Sequence, residues 1–468
     1  MLSGTFNKTL FAGLALALVA VFILPYLLVV IVFMIFLVLA YQSKRSFVLS
    51  SIIIALLVFT RTEFQDLRNI VTGLSLVILF FLFFKEYALN FQRYPRLPAE
   101  YKLLILFLIL TVSFSTLANG ISALSSFVLT RMLIFFALCY SLFSFGNKNI
   151  YRYINSLIIA QLIIGISILY DFIKGGLSFF LKNGVLARFT GIHDNPNFIG
   201  LIAIITTCYL IALLFSEKIK YKKIRMLISF LLLINALIIL ITDSRAAIIS
   251  ILISSSIIIY LLNKKILKRL IFIFTGIFIL LLFFPYVQEF LLLLFRSDEI
   301  NAREYFWSSG IEMFQDHWLW GVGPERFPDH FYTYLPSFAK TMFTEIGAFD
   351  IGKIPSPHNY FLLMSSENGI AGLISSFLIF GIYFNIVIKN LKMSKMIDKE
   401  YYIISVALLG IGIGTFIRAF FEVSGVFSYG YILQDLPFWL SYTILFILYA
   451  KLKEVRMLEG NIENGAYN

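Results

Sequence analysis

The sequence has little charge for its length. Charged residues make up only 14% of its 468 residues, whereas hydrophobic residues make up 60%. A soluble domain carries about 25% charged residues, and a water-soluble core could not bury this much apolar surface. The composition excludes an ordinary soluble protein and predicts an all-α polytopic membrane protein.

Cysteine and histidine are also scarce. Cys139 and Cys208 both lie in apolar runs without metal-binding spacing, so we expect buried thiols and no disulfide. The four histidines are too scattered to predict a metal site by spacing. No cleavable signal peptide is evident, because the first apolar run continues for more than 30 residues.

Long apolar runs dominate the rest of the sequence. About 20 residues are needed for a helix to cross the hydrocarbon, and the runs predict a bundle of 14 spans, with 12 as the alternative because the first two could be one helix and the third is short. The predicted spans are 9–24, 26–42, 46–60, 69–84, 102–118, 126–146, 152–173, 196–215, 225–242, 246–262, 270–294, 358–388, 401–420 and 430–450.

The spacing of these runs predicts four regions. Residues 1–294 form an N-terminal transmembrane bundle of about 11 helices, and 295–357 form a large extracytoplasmic loop with short helices. Residues 358–450 form the C-terminal transmembrane helices, and 451–468 form a tail. The loop is rich in Trp, Phe and Tyr, which argues against disorder.

The net charge of +12 has two interpretations. A basic protein can bind nucleic acid or anionic lipid, but here Lys and Arg fall between apolar runs, which is typical of cytoplasmic loops. With a cytoplasmic N-terminus, 25 of the 38 basic residues lie on the cytoplasmic side. We therefore expect both termini in the cytoplasm, the loop outside and no nucleic-acid partner.

The first polar motif is RFTGIHDNPNFIG at 188–200. Asp194 to Asn197 is typical of a turn that starts a helix. Arg188 beside such a helix start suits an anion, because the guanidinium donates paired hydrogen bonds and the helix end adds positive potential. The alternative is an Arg that extends to the membrane surface for structural reasons alone.

The second motif is DSRAA at 243–247. Asp243 or Ser244 can cap the following helix, which places Arg245 in its first turn, where the helix dipole disfavours a cation. Arg245 therefore needs a partner. Asp243 and a ligand phosphate are equally suitable.

The third motif lies in the long loop. Ala302, Phe306, Ser309 and Met313 follow helical spacing, which predicts an amphipathic helix over 299–317. A glycine-proline turn follows at 320–327. This turn lacks the Lys of a nucleotide-binding loop, so it is weak evidence for a phosphate site.

The fourth motif is PSPHNY at 355–360, where two prolines precede a helix start. His358 at the mouth of that helix can act as a general base, or it can be a capping or packing residue. Glu367 is half a turn out of phase with His358, so we do not expect it to orient the imidazole.

Together, in this order, the four motifs resemble the O-antigen ligase and O-antigen polymerase family of bacterial surface-polysaccharide membrane enzymes. The segments that carry the resemblance are RFTGIHDNPNFIG at 188–200, DSRAA at 243–247, REYFWSSGIEMFQDHWLWGVGPERF at 303–327 and HNYFLLMSSENGIAGL at 358–373. The first half of the chain matches only as apolar spans, and His193 stands where a smaller or apolar residue is expected.

The resemblance implies a multi-pass protein of the bacterial cytoplasmic membrane whose active site faces outside. It implies an inverting glycosyltransferase that uses a polyprenyl-diphosphate-linked oligosaccharide donor and a glycan or lipid acceptor, with no metal or nucleotide cofactor. By the family pattern, Arg188 and Arg245 bind the carrier diphosphate, Arg303 is a further candidate for the same anion, and His358 deprotonates the acceptor.

Three functions are compatible with the sequence. A polysaccharide polymerase extends a carrier-linked glycan, and an O-antigen ligase attaches the glycan to a lipid or protein. A lipid-linked glycan transporter would also need cations, but near the membrane midplane and in both halves of a repeat. The predicted clustering at one surface favours an enzyme, and we take the polymerase as the first hypothesis.

Overall fold

The computed structural model describes residues 45–59, 65–85, 96–146, 150–182, 185–186, 189–193, 195–242, 244–281, 283, 300–337 and 355–465. Within these ranges the chain is almost entirely helical, which confirms the predicted all-α fold. Its helices are α1 (Arg45–Phe59), α2 (Gln65–Phe83), α3 (Ala99–Ala118), α4 (Ala123–Gly146), α5 (Ile150–Phe180), α6 (Pro196–Leu214), α7 (Lys222–Thr242), α8 (Arg245–Leu262), α9 (Lys264–Leu281), α10 (Ile300–Asp316), α11 (Phe327–Phe331), α12 (Tyr360–Ile397), α13 (Lys399–Ala419) and α14 (Ile432–Gly465).

A two-residue antiparallel ribbon follows α5. It pairs β1 (Leu181–Lys182) with β2 (Val185–Leu186), and Leu181 lies opposite Leu186. The ribbon reverses the chain between α5 and the segment that leads into α6.

Eight of the described helices are long and apolar enough to span a membrane, namely α3 to α8, α12 and α13. The apolar helices α1 and α2 are shorter, and the predicted spans 9–24 and 26–42 lie outside the described residues. The protein is therefore a polytopic membrane protein, as predicted.

Several predicted helix bounds differ from the structure, among them those of α5 and α12, which continue to Phe180 and Ile397. The helix predicted at 270–294 already begins at Lys264, because Asn263 caps it by accepting the N–H groups of Lys265 and Ile266 at 3.1 Å each. The last helix continues past 450 to Gly465. Its apolar run ends near 450, and the polar residues that follow remain helical.

At the centre of the bundle α6, α8 and α13 pack against one another, and α12 packs against α13. Small residues make this packing possible: a Cβ atom added at Gly410 would lie 2.4 Å from Ile258, and one at Gly414 would lie 2.7 Å from Ile204. Membrane helices pack through such small residues, because lipid gives them no hydrophobic drive to associate.

The long loop is docked into a break in α12. Gly369 has φ 61°, which interrupts the helix and frees the carbonyls of Ser366 and Glu367. The loop satisfies both carbonyls: Val322 donates its N–H to Ser366 at 2.9 Å, and Gly323 donates to Glu367 at 3.0 Å. The predicted turn at 320–327 is therefore a docking element, and these two N–H groups are engaged by α12 instead of by a phosphate.

Glycine is required on both sides of this contact. A Cβ atom at Gly321, where φ is 70°, would lie 2.2 Å from the carbonyl carbon of Glu367. A Cβ atom at Gly369 would lie 2.4 Å from the carbonyl oxygen of Leu319. Both positions combine left-handed backbone with backbone-to-backbone contact, which only glycine tolerates.

Side-chain hydrogen bonds and an ion pair also hold the docked loop in place. Glu367 accepts the N–H of Phe327 at 3.0 Å and the hydroxyl of Tyr429, and the Asn368 amide donates to the same hydroxyl at 2.7 Å. Arg131 pairs with Glu325 on the loop and donates to the carbonyl of Tyr429 at 3.1 Å. The loop, α12 and segment 420–431 are thereby held in one arrangement, and Glu367 acts in this network instead of on His358.

Candidate functional site

The first two sequence motifs meet at one end of the bundle, where α6, α8 and α12 begin and α13 ends; we call this the loop end. Asn195 caps α6 by accepting the N–H of Asn197 at 2.8 Å. Ser244, at the N-cap position of α8, has its hydroxyl 3.4 Å from the side-chain oxygen of Asn197. Both predicted helix starts are confirmed, and the structure packs them side by side, but the Ser244 side chain makes no capping hydrogen bond.

Arg245 occupies the first turn of α8, as predicted, and is partly buried. The N-terminus of a helix presents free backbone N–H groups, which favour an anion at this position. Asp243, Asp194 and Arg188 lie outside the described residues. Next to Arg188, the N–H of Phe189 lies 3.5 Å from the carbonyl of Ile241, so the chain beside Arg188 adjoins the end of α7.

The third and fourth motifs meet at Glu422, in the segment after α13. The Nδ1 atom of His358 lies 3.7 Å from Oε2 of Glu422, and a terminal nitrogen of Arg303 lies 3.6 Å from Oε1. Glu422 is only 5% exposed, whereas His358 is 36% and Arg303 is 37% exposed. A buried carboxylate therefore lies beside two predicted site residues that are partly exposed.

The surroundings of Glu422 keep it ionised. Burial alone would raise the pKa of this carboxyl, but the neighbouring His358 and the charges of Arg418 and Arg303 outweigh burial and hold the pKa below its ordinary value. Glu422 is consequently a carboxylate at neutral pH, and it can stabilise positive charge on the imidazole.

Arg418 connects this carboxylate to the helix starts. It is fully buried at the end of α13, where it donates to the carbonyl of Asn197 at 2.9 Å and to the carbonyl of Ser424. Asn197 in turn adjoins Ser244, which precedes Arg245. A series of interactions therefore runs from Ser244 through Asn197 to Arg418, whose charge acts on Glu422 beside His358.

His358 precedes the helix instead of capping it. Asn359 is the N-cap of α12 and accepts the N–H of Leu362 at 3.1 Å, so the capping interpretation of His358 is wrong. His358 itself has φ 45°, an uncommon conformation outside glycine that is frequent at functional sites. The rings of Phe306 and His358 pack in a T-shaped arrangement with a centroid distance of 6.0 Å.

The amphipathic helix of the loop positions Arg303. The helix predicted at 299–317 is α10 (Ile300–Asp316), in which Ser309 and Met313 are buried, as the spacing predicted. Arg303 also lies 3.5 Å from the carbonyl of Phe421. Its observed partner is Glu422, so its predicted anion contact would have to coexist with this ion pair.

Sequence reasoning missed Arg418 and Glu422. Both belong to FIRAFFEVSG, where a charged residue ends an apolar run and a second follows four residues later. Ionisable residues inside or beside a span are expensive unless they are paired or functional, and this signal would have found them. His193 is buried against Phe198 with ring centroids 5.4 Å apart, a packing position rather than an open one.

Comparison with known families supports the resemblance stated above. Residues 228–377 match the model of a family described as O-antigen ligase. The match includes Arg245, Arg303 and His358, whereas Arg418 and Glu422 lie beyond it. A comparison with curated proteins gave no match.

Proposed function

We propose that this chain, a membrane protein whose residues 228–377 belong to the O-antigen ligase family, transfers a glycan from a polyprenyl diphosphate carrier to an acceptor hydroxyl. The observation that carries this proposal is the contact of His358 with the buried carboxylate Glu422, at the end of the bundle where Arg245 begins α8. A base and an anion-binding helix end at one surface are what such a transfer requires.

The base and its partner define the acceptor side. The Nδ1 atom of His358 faces Glu422, which leaves Nε2 to take the proton of the acceptor hydroxyl. At 3.7 Å the contact is longer than a hydrogen bond, and such bonds often tighten only when substrate is present. Glu422 orients the ring and stabilises its positive charge after proton transfer.

The arginines define the donor side. Arg245, together with Arg188, binds the donor diphosphate, because a dianionic group near hydrocarbon needs more than one cation. The acceptor oxygen attacks the anomeric carbon as its proton passes to His358. The sugar–phosphate bond breaks, polyprenyl diphosphate leaves with the bonding electrons, and the anomeric configuration inverts. The arginines stabilise the charge that grows on the leaving diphosphate.

We take the acceptor to be a second carrier-linked glycan, which makes the protein a polysaccharide polymerase of the bacterial cytoplasmic membrane, with its active site facing outside. Purified protein in lipid vesicles, supplied only with lipid-linked oligosaccharide, tests this choice. A ladder of longer lipid-linked products is expected. A product that forms only after a separate lipid or protein acceptor is added would identify a ligase, and donor that crosses the vesicle without reacting would identify a transporter.

A further inference from the structure

At the end of the bundle opposite to His358, α12 and α14 line an open cavity of about 500 Å³. The lining from α12 includes Lys389 and Lys392, and that from α14 includes Lys453 and Arg456. Beyond the break at Gly369, α12 runs for about 20 residues to Lys389, which corresponds to roughly 30 Å away from the loop end. The cavity is therefore separate from the candidate active site.

The cavity has more positive than negative charge. Lys389 pairs with Glu100 at 3.1 Å and lies over the ring of Tyr449, 5.8 Å from its centroid. No ion pair within the described part of the chain engages Lys392, Lys453 or Arg456, and all three are exposed. Four cations around one carboxylate favour an anionic ligand with at least two negative charges.

The walls of the cavity are also apolar. Met393 and Met457 line it beside the cations, and Tyr449 forms part of its wall. Next to the cavity, a hydrogen bond joins α12 to α14: the side chain of Asn390 donates to the carbonyl of Leu445 at 3.1 Å. The cavity thus combines charged and apolar surface next to a fixed helix contact, a combination that a headgroup with attached acyl chains can fill.

Lys392 ends an outward-facing stripe of α12. Ile374, Phe377 and Ile388 follow helical spacing along this stripe and are 51%, 47% and 47% exposed. Such apolar side chains face the acyl chains of the membrane in a polytopic protein. A ligand held by Lys392 can therefore lay its own acyl chains along α12.

We propose that this cavity binds the phosphate headgroup of an anionic phospholipid. The phosphates contact Lys392, Lys453 and Arg456, while the acyl chains follow the Ile374–Ile388 side of α12. Basic pockets between membrane helices are suited to lipids with two phosphates, so cardiolipin should bind more tightly than phosphatidylglycerol. A soluble phosphate compound shares the headgroup chemistry but lacks the acyl chains.

The test measures lipid retained by the full chain in nanodiscs of phosphatidylethanolamine with 5% cardiolipin, by native mass spectrometry. The double variant Lys392→Gln/Arg456→Gln removes two cations, and about 1 kcal/mol for each near an anionic headgroup corresponds to roughly 30-fold weaker cardiolipin binding. The matched control, Lys265→Gln/Lys268→Gln, removes two exposed cations from α9 and should leave cardiolipin binding unchanged.

A second arm adds millimolar inorganic phosphate to the wild type in phosphatidylethanolamine alone and measures thermal stabilisation. The lipid site is supported if the cavity variant binds cardiolipin more weakly and phosphate does not stabilise the wild type. The lipid assignment is overturned if phosphate stabilises the wild type but not the cavity variant, and cardiolipin is not selectively retained. Equal cardiolipin retention in the cavity and control variants, both monodisperse by size-exclusion chromatography, overturns the site itself.

Discussion

The Nδ1 atom of His358 and the Oε2 atom of Glu422 lie 3.7 Å apart, although 63 residues separate them in the sequence. α12 begins two residues after His358, and α13 ends three residues before Glu422. The pair forms because these two helices pack against each other and their ends meet at the loop end. This contact turns an isolated histidine into a candidate base with an anionic partner.

Substitution of His358 tests its role as the base. His358→Ala should lower kcat at least about 100-fold, since general-base assistance typically contributes 10²- to 10⁴-fold, while donor binding is retained. The assay follows glycan transfer from purified lipid-linked donor, and donor binding is measured separately. The control is His317→Ala, which replaces an exposed histidine of the long loop 295–357 and should keep its activity. An unchanged rate in His358→Ala would remove the histidine from the mechanism, and lost donor binding would make it a donor ligand.

Substitution of Glu422 tests the orientation of that base. The pKa of Glu422 is held below its ordinary value, so at neutral pH it carries a negative charge beside His358. Glu422→Gln removes this charge and should lower kcat, whereas Glu422→Asp keeps the charge and should recover part of the rate. Equal rates in the two variants, both with wild-type donor binding, would indicate that Glu422 acts only on structure, through Arg418 and Arg303.

Arg245 offers a test of donor binding. Arg245→Ala should weaken donor binding roughly 10- to 100-fold, the range of a charge-assisted hydrogen bond. Arg245→Lys should recover only part, because Lys keeps the charge but lacks the paired donors. Binding is measured with lipid-linked donor in nanodiscs, and Arg269→Ala on α9 serves as the control. Wild-type donor affinity in Arg245→Ala would leave this arginine with a structural role alone.

The docked loop makes a prediction about stability. Gly369→Ala forces a Cβ atom against the carbonyl of Leu319 and a non-glycine residue into left-handed backbone, which costs at least about 1–2 kcal/mol. The midpoint of thermal unfolding in detergent should fall, and limited proteolysis should cleave the loop faster. Gly381→Ala lies in the same helix with open space around it and should be neutral or slightly stabilising. Equal melting of the two variants would contradict the docking contact.

Orientation in the membrane is tested by cysteine labelling. Cys139 and Cys208 are both buried, so background labelling by an impermeant maleimide should be low. Gln315→Cys, exposed on α10, should react in intact cells, whereas Lys220→Cys, exposed between α6 and α7, should react only after the membrane is opened. The opposite pattern would place the loop and the candidate site in the cytoplasm.

The sequence by itself determined the class of the protein and most of its helices. Apolar runs of about 20 residues have few alternatives to membrane-spanning helices, because each backbone polar group must be satisfied within the helix. The helix starts at Asn195 and Ser244 could also be predicted from the sequence, since the residues that start a helix act locally. The motif order also indicated a resemblance to the O-antigen ligase family, whose model residues 228–377 match.

Only the tertiary structure decided which polar residues meet. Glu422 contacts His358, whereas Glu367 accepts a hydrogen bond from the docked loop. Sequence distance alone would have favoured Glu367 as the partner of His358. The break at Gly369 and the insertion of 318–323 set this arrangement, and both depend on contacts between distant segments. Helical periodicity describes one helix at a time, so it cannot predict which side chains different helices bring together.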